Sequence, residues 1–347
     1  NGGRGWVNAE VRDHQFAVLQ ELATEYETDG IELDLAAPPG GTSYYFKKED
    51  VQEYTPVMTE WVRETSAMVR GRPGEPGQIG ARVYPTEAIN LAAGLDVRTW
   101  LSEGLLDYVG PMVYGSNLDM NMPIDWLIEL AHANDAAVYP MIHPYYNRDS
   151  WQPVQEDATA GMMRAATAAY LDRGADGMYT WHMVWPPGDK ERQILSEWGD
   201  ADAASEGNKH YTVCRRSEFD EAVGYTPPLP LEITTDELGK LHAIPFYIAD
   251  DLAANADRLR RVTLKILIAR LVSAHKFTLL LNGESIAREN LRRDYGDKVG
   301  PYLGQWLEFD LQNVRPRKGE NVLEIPLDDR PDTLASPITV EDVEVII

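Results

Sequence analysis

The sequence predicts two structural classes in succession, an α/β part over residues 1–205 and an all-β part over residues 206–347. In the first part, short apolar strands alternate with helical stretches, whereas in the second part short alternating segments follow one another directly. A polar segment that is short of large aliphatic residues, GDADAASEGNKHYT at 199–212, marks the boundary. At 347 residues, the chain is long enough for two domains that each bury a core.

The α/β part contains a first helix and five expected strands. In AEVRDHQFAVLQELATEY, Phe16, Leu19 and Leu22 recur at helical spacing. The strands are expected near 31–35, 79–85, 108–114, 137–143 and 177–183. Strands that alternate with helices form a parallel sheet, and a closed barrel needs eight of them. Either the sheet is open, or the chain is a (β/α)8-type barrel that lacks its first three βα units.

The all-β part is expected to be a β-sandwich of the jelly-roll type. Its alternating segments include RVTLKILIARL, QWLEFDLQNV and ITVEDVEVII. The pairs Asn282-Gly283 and Lys318-Gly319 supply turns between such segments. We expect this sandwich to pack against the α/β part as an accessory domain.

The composition excludes several classes of partner. The chain carries 56 acidic against 32 basic residues, a formal net charge of -24, which argues against nucleic acid and against anionic membrane. No apolar run reaches the roughly 18 residues of a transmembrane helix. The single cysteine, Cys214, excludes an internal disulfide and a cysteine-rich metal site. A neutral ligand is therefore favoured, and no cofactor is expected.

Two acids stand out on the first strand. Because side chains alternate along a strand, Glu32 and Asp34 share one face, while Ile31, Leu33 and Leu35 share the other. The aliphatic face should pack against helices, so the acids should face the interior of the sheet, with Asp34 nearer the carboxyl end. Ligand sites of parallel barrels lie at that end.

The same alternation nominates side chains on the other strands and the loops that follow them. On the last strand, either Trp181 or the pair Thr180 and His182 faces inward. Aromatic rings stack on the apolar faces of sugars while charged groups bind the hydroxyls, so a carbohydrate substrate is expected. The expected substrate-binding residues are Arg82, Tyr84, Glu87, Tyr114, His143, Tyr145 and Trp181, with further rim aromatics at Tyr44, Tyr45, Phe46, Tyr146, Trp151 and Trp185.

Glycoside hydrolysis normally needs two carboxyls. We expect Asp34 to be one catalytic carboxyl and Glu32 to raise its pKa or to hold Arg82. The second carboxyl is Glu87, Asp119 or a group outside this chain. Glu32 is equally well explained as a structural partner of Arg82. The rival classes are a non-catalytic carbohydrate-binding protein and a metal-dependent hydrolase in which His143 and His182 join the acids.

Three segments resemble the family-ten-like group of bacterial glycosyl-hydrolase-like barrels. They are NAEVRDHQFAVLQELATEYETDGIELDL at 8–35, GLDVRTWLSEGLLDYVGPMVYG at 94–115, and DKERQILSEWGD followed by KHYTV at 189–213. The resemblance covers residues 8–347 and has no counterpart for the first three strands of that group. It implies a truncated glycoside hydrolase barrel and a secreted or periplasmic location. An open barrel edge leaves strand backbone unpaired, so a homo-oligomer is expected if another copy completes the barrel.

A second likeness is to chitinase-type barrels, which carry Asp-x-x-Asp-x-Asp-x-Glu on their fourth strand. Aligned on Asp29, this chain has Glu32 and Asp34 in the pattern, but Ala36 stands where those enzymes keep their acid catalyst. Tyr114 fits the Met-x-Tyr of that family, and Trp181 fits its last-strand tryptophan. The absent glutamate argues against substrate-assisted catalysis of the chitinase type.

Overall fold

A computed structural model describes residues 5–36, 45–114, 117–146, 156–198, 200–294, 298–299, 302–331 and 333–347. Its first part alternates helices and strands, in the order α1 Ala9–Glu25, β1 Gly30–Asp34, α2 Val51–Arg70, β2 Gln78–Val83, α3 Glu87–Ala92, α4 Val97–Ser102, β3 Tyr108–Pro111, α5 Asp125–His132, β4 Ala137–Val138, β5 Met141–Ile142, β6 Tyr145–Tyr146, β7 Glu156–Asp157, α6 Ala160–Asp172, β8 Tyr179–Thr180, α7 Asp189–Trp198 and α8 Ala201–Ser205.

The parallel strands follow one another in sequence order. Strands β1, β2, β3 and β4 form one parallel sheet in that order. Strand β5 pairs in parallel with β8, and only two residues separate it from β4. Neither sheet closes on itself within the described residues. The truncated (β/α)8-type barrel stays a prediction.

Several strands are shorter than the sequence indicates. The strand expected over 137–143 is split at Pro140, because proline has no N–H for the ladder. The strand expected over 177–183 is reduced to Tyr179–Thr180, since His182 adopts a positive φ of 59° that leaves the extended region. The strand expected over 108–114 ends at Pro111.

Helices cover the sheet unequally. Helix α2 buries one face that includes Met58, Trp61, Val62 and Val69, which explains its strong amphipathic pattern. Helix α1 buries only Ala23, and its Val18 and Leu22 side chains stay exposed. Among the described residues, no helix has the length and apolar character needed to cross a membrane.

The named strands of the second part pair in antiparallel fashion, and among the described residues one short α-helix lies between them. Its elements are β9 His210–Thr212, α9 Glu218–Val223, β10 Leu231–Ile233, β11 Ala243–Ile248, β12 Thr263–Ala269, β13 Lys276–Phe277, β14 Leu280–Leu281, β15 Glu284–Ser285, β16 Leu291–Asp294, β17 Lys298–Val299, β18 Tyr302–Asp310, β19 Gly319–Glu324, β20 Leu327–Asp329 and β21 Ile338–Ile346. One sheet has the order β10-β21-β12-β18-β16, with β9 beside β21 and β17 beside β18. A second sheet has the order β11-β19-β14-β15, and β13 pairs with β20.

Polar contacts join the two parts. The Tyr247 hydroxyl donates to Asp172 Oδ2 at 2.7 Å, and Lys318 Nζ lies 2.6 Å from Asp172 Oδ1. The side chain of Asn117 donates to the Arg215 carbonyl at 2.7 Å. The antiparallel part therefore packs on the face of α6 and on the loop after β3.

Candidate functional site

Strand β1 separates its acids from its aliphatic residues. Ile31 and Leu33 are buried on one face, Glu32 is half-buried on the other, and Asp34 is exposed. In the parallel register, Glu32 lies opposite Gly80 and Asp34 lies opposite Arg82. The alternation of the sequence thus brings two carboxylates and one guanidinium to the same face of the sheet.

Arg82 connects three groups on that face. Its Nε lies 2.6 Å from Glu32 Oε1, its Nη1 lies 3.3 Å from Asp34 Oδ2, and its Nη2 donates to the Tyr179 hydroxyl at 2.9 Å. The side chain of Arg82 is 14% exposed, against 40% for that of Asp34. The carboxylates beside Arg82 raise its pKa, although burial opposes this as the largest single influence. Arg82 therefore stays cationic and holds both acids in place.

Two tyrosines donate further hydrogen bonds to the Glu32 carboxylate. Tyr179 donates to Glu32 Oε1 at 3.2 Å, and Tyr108 donates to Glu32 Oε2 at 3.2 Å. Burial, followed by the charge of Glu32, raises the pKa of both phenols. Gly80 lies between Glu32 and Tyr108 in the register, and a Cβ there would come within 2.0 Å of the Tyr108 ring. Gly80 thus leaves the space in which Tyr108 reaches Glu32.

Aromatic rings surround the guanidinium. Arg82 Cζ lies 4.7 Å from the centroid of Trp181 and 5.1 Å from that of Tyr179. Tyr114 meets Trp181 edge-on at 6.0 Å, and His182 stacks on Trp181 at 5.3 Å. Trp181 and Tyr114 are both half-buried. We name this surface, made by Glu32, Asp34, Arg82, Tyr108, Tyr179 and Trp181, the Arg82 face.

Two of the expected substrate-binding residues are enclosed instead. Tyr84 is fully buried, and burial together with the charge of Asp34 raises its pKa to about 12. His143 is 6% exposed, its Nε2 lies 3.3 Å from the Val113 carbonyl oxygen, and burial lowers its pKa to about 4. Both side chains therefore belong to the interior rather than to a surface that a ligand can reach.

Glu87 and Tyr145 have other partners. Glu87 binds Arg98 through two contacts of 2.5 and 3.0 Å, and the hydrogen bond from Arg98 lowers its pKa. The Tyr145 hydroxyl donates to the His182 carbonyl at 2.9 Å, so it anchors the turn after β8. Asp119 accepts from Tyr225 at 2.6 Å on the side that faces the antiparallel part. Neither Glu87 nor Asp119 has a contact with the Arg82 network among the described residues.

The other rim aromatics divide into three groups. Tyr45, Phe46 and Tyr146 are buried, and the Tyr45 hydroxyl donates to the Leu35 carbonyl at 3.1 Å. Trp185 is 84% exposed. Tyr44 and Trp151 lie outside the described residues.

Sequence reasoning overlooked Tyr108 and Tyr179. It considered only the last inward residues of each strand, whereas both tyrosines lie deeper in the sheet. The signal was available, because Tyr179 is two residues from Trp181, and residues two apart share a face. The same rule selects Trp181 over the pair Thr180 and His182 as part of the Arg82 face.

A metal centre finds no support in the part of the chain that the structure describes. That part contains no group of three or more His, Cys, Asp or Glu side chains that could hold a metal ion. Glu32 is already bound to Arg82, and His143 faces a backbone carbonyl. The expected metal-dependent alternative therefore has no ligand set among the described residues.

No protein-family model matches the chain, and no curated protein matches it. Among solved structures, an α-L-fucosidase from Vibrio sp. strain EJY3 overlaps 94% of this chain and 68% of its own, with 11% identity and a TM-score of 0.30. A two-domain esterase active on acetylated mannans, crystallised with mannopentaose, overlaps 96% of this chain and 94% of its own, with 10% identity and a TM-score of 0.22. Both are enzymes of carbohydrate chemistry. These TM-scores are too low for the overlap to carry an argument about this chain.

Proposed function

We propose that the Arg82 face binds a neutral carbohydrate and that Asp34 acts as a catalytic carboxyl in glycoside hydrolysis. The observation that carries the proposal is the single guanidinium that holds an exposed carboxylate, a half-buried carboxylate and two aromatic rings at one end of parallel strands. The carboxyl ends of parallel strands are the usual place for such chemistry in α/β proteins.

Asp34 is the acid that can meet a substrate. Its side chain is 40% exposed, and its contact with Arg82 at 3.3 Å is longer than the 2.6 Å contact between Arg82 and Glu32. A carboxyl that acts as nucleophile or as general acid or base must reach the glycosidic oxygen or the anomeric carbon. Asp34 keeps that reach because it faces solvent.

Glu32 is a positioning residue in this proposal. Each of its two oxygens accepts at least one hydrogen bond, from Arg82 and Tyr179 on one oxygen and from Tyr108 on the other. A carboxylate bound in this way fixes the guanidinium and so fixes Asp34. The structural role of Glu32, which the sequence left open, is the one that these contacts favour.

The rings supply the surface for a sugar. Trp181 and Tyr114 are half-buried and meet at 6.0 Å, so each presents part of its face. Apolar ring faces bind the C–H faces of pyranoses, and charged groups bind hydroxyls. The Arg82 face carries two carboxylates and one guanidinium, which favours a neutral sugar over an anionic one.

A second candidate is a carbohydrate-binding protein without hydrolytic activity. It is favoured by the fact that Glu32 and Asp34 both contact the same guanidinium, whereas hydrolysis uses two carboxyls that flank the scissile bond. The hydrolase needs a second carboxyl that does not belong to the Arg82 face.

The test uses Asp34→Asn, with Asp13→Asn on the exposed side of α1 as the matched control. Cello-, xylo-, manno- and chito-oligosaccharides are assayed for binding by calorimetry and for release of reducing ends. We expect Asp34→Asn to reduce hydrolysis by at least roughly 100-fold and Asp13→Asn to leave it unchanged. Hydrolysis at the wild-type rate by Asp34→Asn would contradict the catalytic role. Binding without release of reducing ends by the wild type would favour the second candidate.

A further inference from the structure

A cavity lies between the parallel and antiparallel parts, away from the Arg82 face. This cavity has a volume of about 470 Å³ and is lined from both parts of the chain. Cavities of roughly 300–1,000 Å³ are typical of small-molecule sites. We name it the interface cavity.

Most of its wall is apolar or aromatic and rigid. The helix α3 residue Ile89 contributes on one side, and prolines contribute on the other, among them Pro227, Pro228 and Pro245. Proline fixes the backbone φ and loses no side-chain entropy on burial, so these positions form a preformed surface. An apolar body of a ligand therefore has a ready place.

Three tyrosines on this wall have their hydroxyls engaged by carboxylates. Tyr225 donates to Asp119 at 2.6 Å, Tyr211 donates to Asp250 at 2.6 Å, and Tyr247 donates to Asp172 at 2.7 Å. Each phenolic proton is therefore already used. The Tyr247 ring already faces the Arg173 guanidinium at 5.6 Å, and the Tyr211 oxygen also accepts from the Ala249 amide at 3.2 Å. The Tyr225 ring on this lining can attract a cation.

Arg173, the one arginine among the described residues of this lining, is also engaged. Arg173 donates to Asp125 through two bonds of 2.9 Å and to the Met122 carbonyl at 2.8 Å, and its side chain is 4% exposed. The cavity consequently offers an anionic ligand little unpaired positive charge.

Acidic groups exceed basic groups on the lining. Asp119 accepts from Tyr225 and from the Asn121 amide at 2.8 Å, and Glu320 lies at the exposed edge of the cavity. Neither carboxylate has an ion-pair partner within the described part of the chain. Burial raises the pKa of both groups and the charge of Arg173 lowers it, so a further positive charge in the cavity would favour their ionised forms.

We infer that the interface cavity binds a small organic monocation, an ammonium group on an apolar body. The apolar wall takes the body, the Tyr225 ring contacts the ammonium, and Asp119 and Glu320 balance its charge. This site is independent of the Arg82 face and of the proposed hydrolysis.

The test compares three probes of one shape, cyclohexylammonium, cyclohexanol and cyclohexanecarboxylate, by calorimetry and by thermal shift. We expect cyclohexylammonium to bind roughly tenfold more tightly than cyclohexanol, because a charge-assisted contact adds to the same apolar burial, and cyclohexanecarboxylate to bind least. Equal affinity for all three probes, or no binding of the ammonium, would overturn the inference.

Two variants locate the site without changing Asp119, which is half-buried. Ala88→Trp, at an exposed position of α3 on the lining, fills the opening and should abolish ammonium binding. Glu320→Gln should weaken ammonium binding about threefold and leave cyclohexanol unchanged, as expected for a partly screened charge. Glu64→Gln, an exposed change of the same kind on α2 outside the lining, is the control and should change neither. Ammonium binding that survives Ala88→Trp at full affinity would place it elsewhere and overturn the assignment.

Discussion

The Arg82 face and the interface cavity both hold a carboxylate that accepts from at least one tyrosine hydroxyl, yet they differ in what balances its charge. Glu32 accepts from Tyr108 and Tyr179 and also has Arg82 Nε at 2.6 Å. Asp119 accepts from Tyr225 at 2.6 Å and has no ion-pair partner among the described residues, and burial raises its pKa. In the first region a guanidinium in direct contact balances the carboxylate, whereas in the second Arg173 acts on Asp119 without an ion-pair contact, and the inferred ligand would add a positive charge.

The largest expected effect comes from removing the guanidinium of the Arg82 face. Arg82→Met leaves Glu32 half-buried without its cation, and loss of one partner of a buried pair costs about 4 kcal/mol of unfolding free energy. Urea unfolding of the purified variant measures this loss. Arg98→Met is the matched control, because its pair with Glu87 has side chains that are 52% and 36% exposed and should contribute less than about 1 kcal/mol. If both variants lose the same stability, Arg82 does not compensate a buried charge.

The next effect concerns how the stability of the protein depends on pH through His143. His143 lines a small cavity of about 20 Å³ together with Asp119, Cys214 and Asp220. Repulsion from His182 makes a small contribution that also disfavours a charged His143. Burial lowers the pKa of His143 in the folded protein to about 4, so the unfolded chain takes up the proton first as the pH falls. The folded state therefore loses stability between about pH 6.5 and pH 4.

His143→Gln removes this titration. We expect the stability of the wild type relative to this variant to decrease by about 2 kcal/mol between pH 7 and pH 5, measured by urea unfolding. Burial raises the pKa of Asp220 to about 6, so its protonation stabilises the folded state as the pH falls. This contribution is present in both the wild type and the variant, so it cancels when their stabilities are subtracted. A difference that stays constant from pH 7 to pH 4 would show that His143 is protonated as easily in the folded state as in the unfolded chain.

A smaller effect tests how the sheet register supports Glu32. Gly80→Ala would place a Cβ 2.0 Å from the Tyr108 ring, so the ring must move away from Glu32. We expect a loss of about 2 kcal/mol in unfolding free energy, the usual cost of overpacking. Gly110→Ala, one strand further at a site where the nearest atom is 3.6 Å away, should change stability far less. Equal losses in the two variants would remove the special role of Gly80.

The sequence predicts the Arg82 face better than the interface cavity, for a physical reason. Alternation along a strand is a local rule, so the residue order alone places Glu32, Asp34 and Arg82 on one face. Applied only to the strand ends, the same rule misses Tyr108 and Tyr179, which lie deeper in the sheet.

The burial of a residue and the position of a cavity depend on contacts between distant parts of the chain. Such contacts cannot be predicted from the local pattern of one sequence. Asp119 meets Tyr225 across 106 positions of the chain. Tyr84 and His143 lie at positions that alternation assigns to the inward face, but other parts of the structure cover them. Alternation alone therefore could not distinguish them from exposed site residues. Fold class and the face of a residue are therefore readable from local pattern, whereas burial and cavities are not.

The smallest expected effect tests whether the Arg82 face stacks on a ligand. Trp181→Ala removes a ring that contacts both Arg82 and Tyr114, so an oligosaccharide that the wild type binds should bind about tenfold more weakly. Calorimetry with the best ligand from the oligosaccharide panel measures this change. Tyr26→Ala, which removes a ring that is 57% exposed at the end of α1, should leave the affinity unchanged. If Trp181→Ala also keeps the wild-type affinity, the rings around Arg82 serve only the packing of the sheet, and the sugar lies elsewhere on the protein.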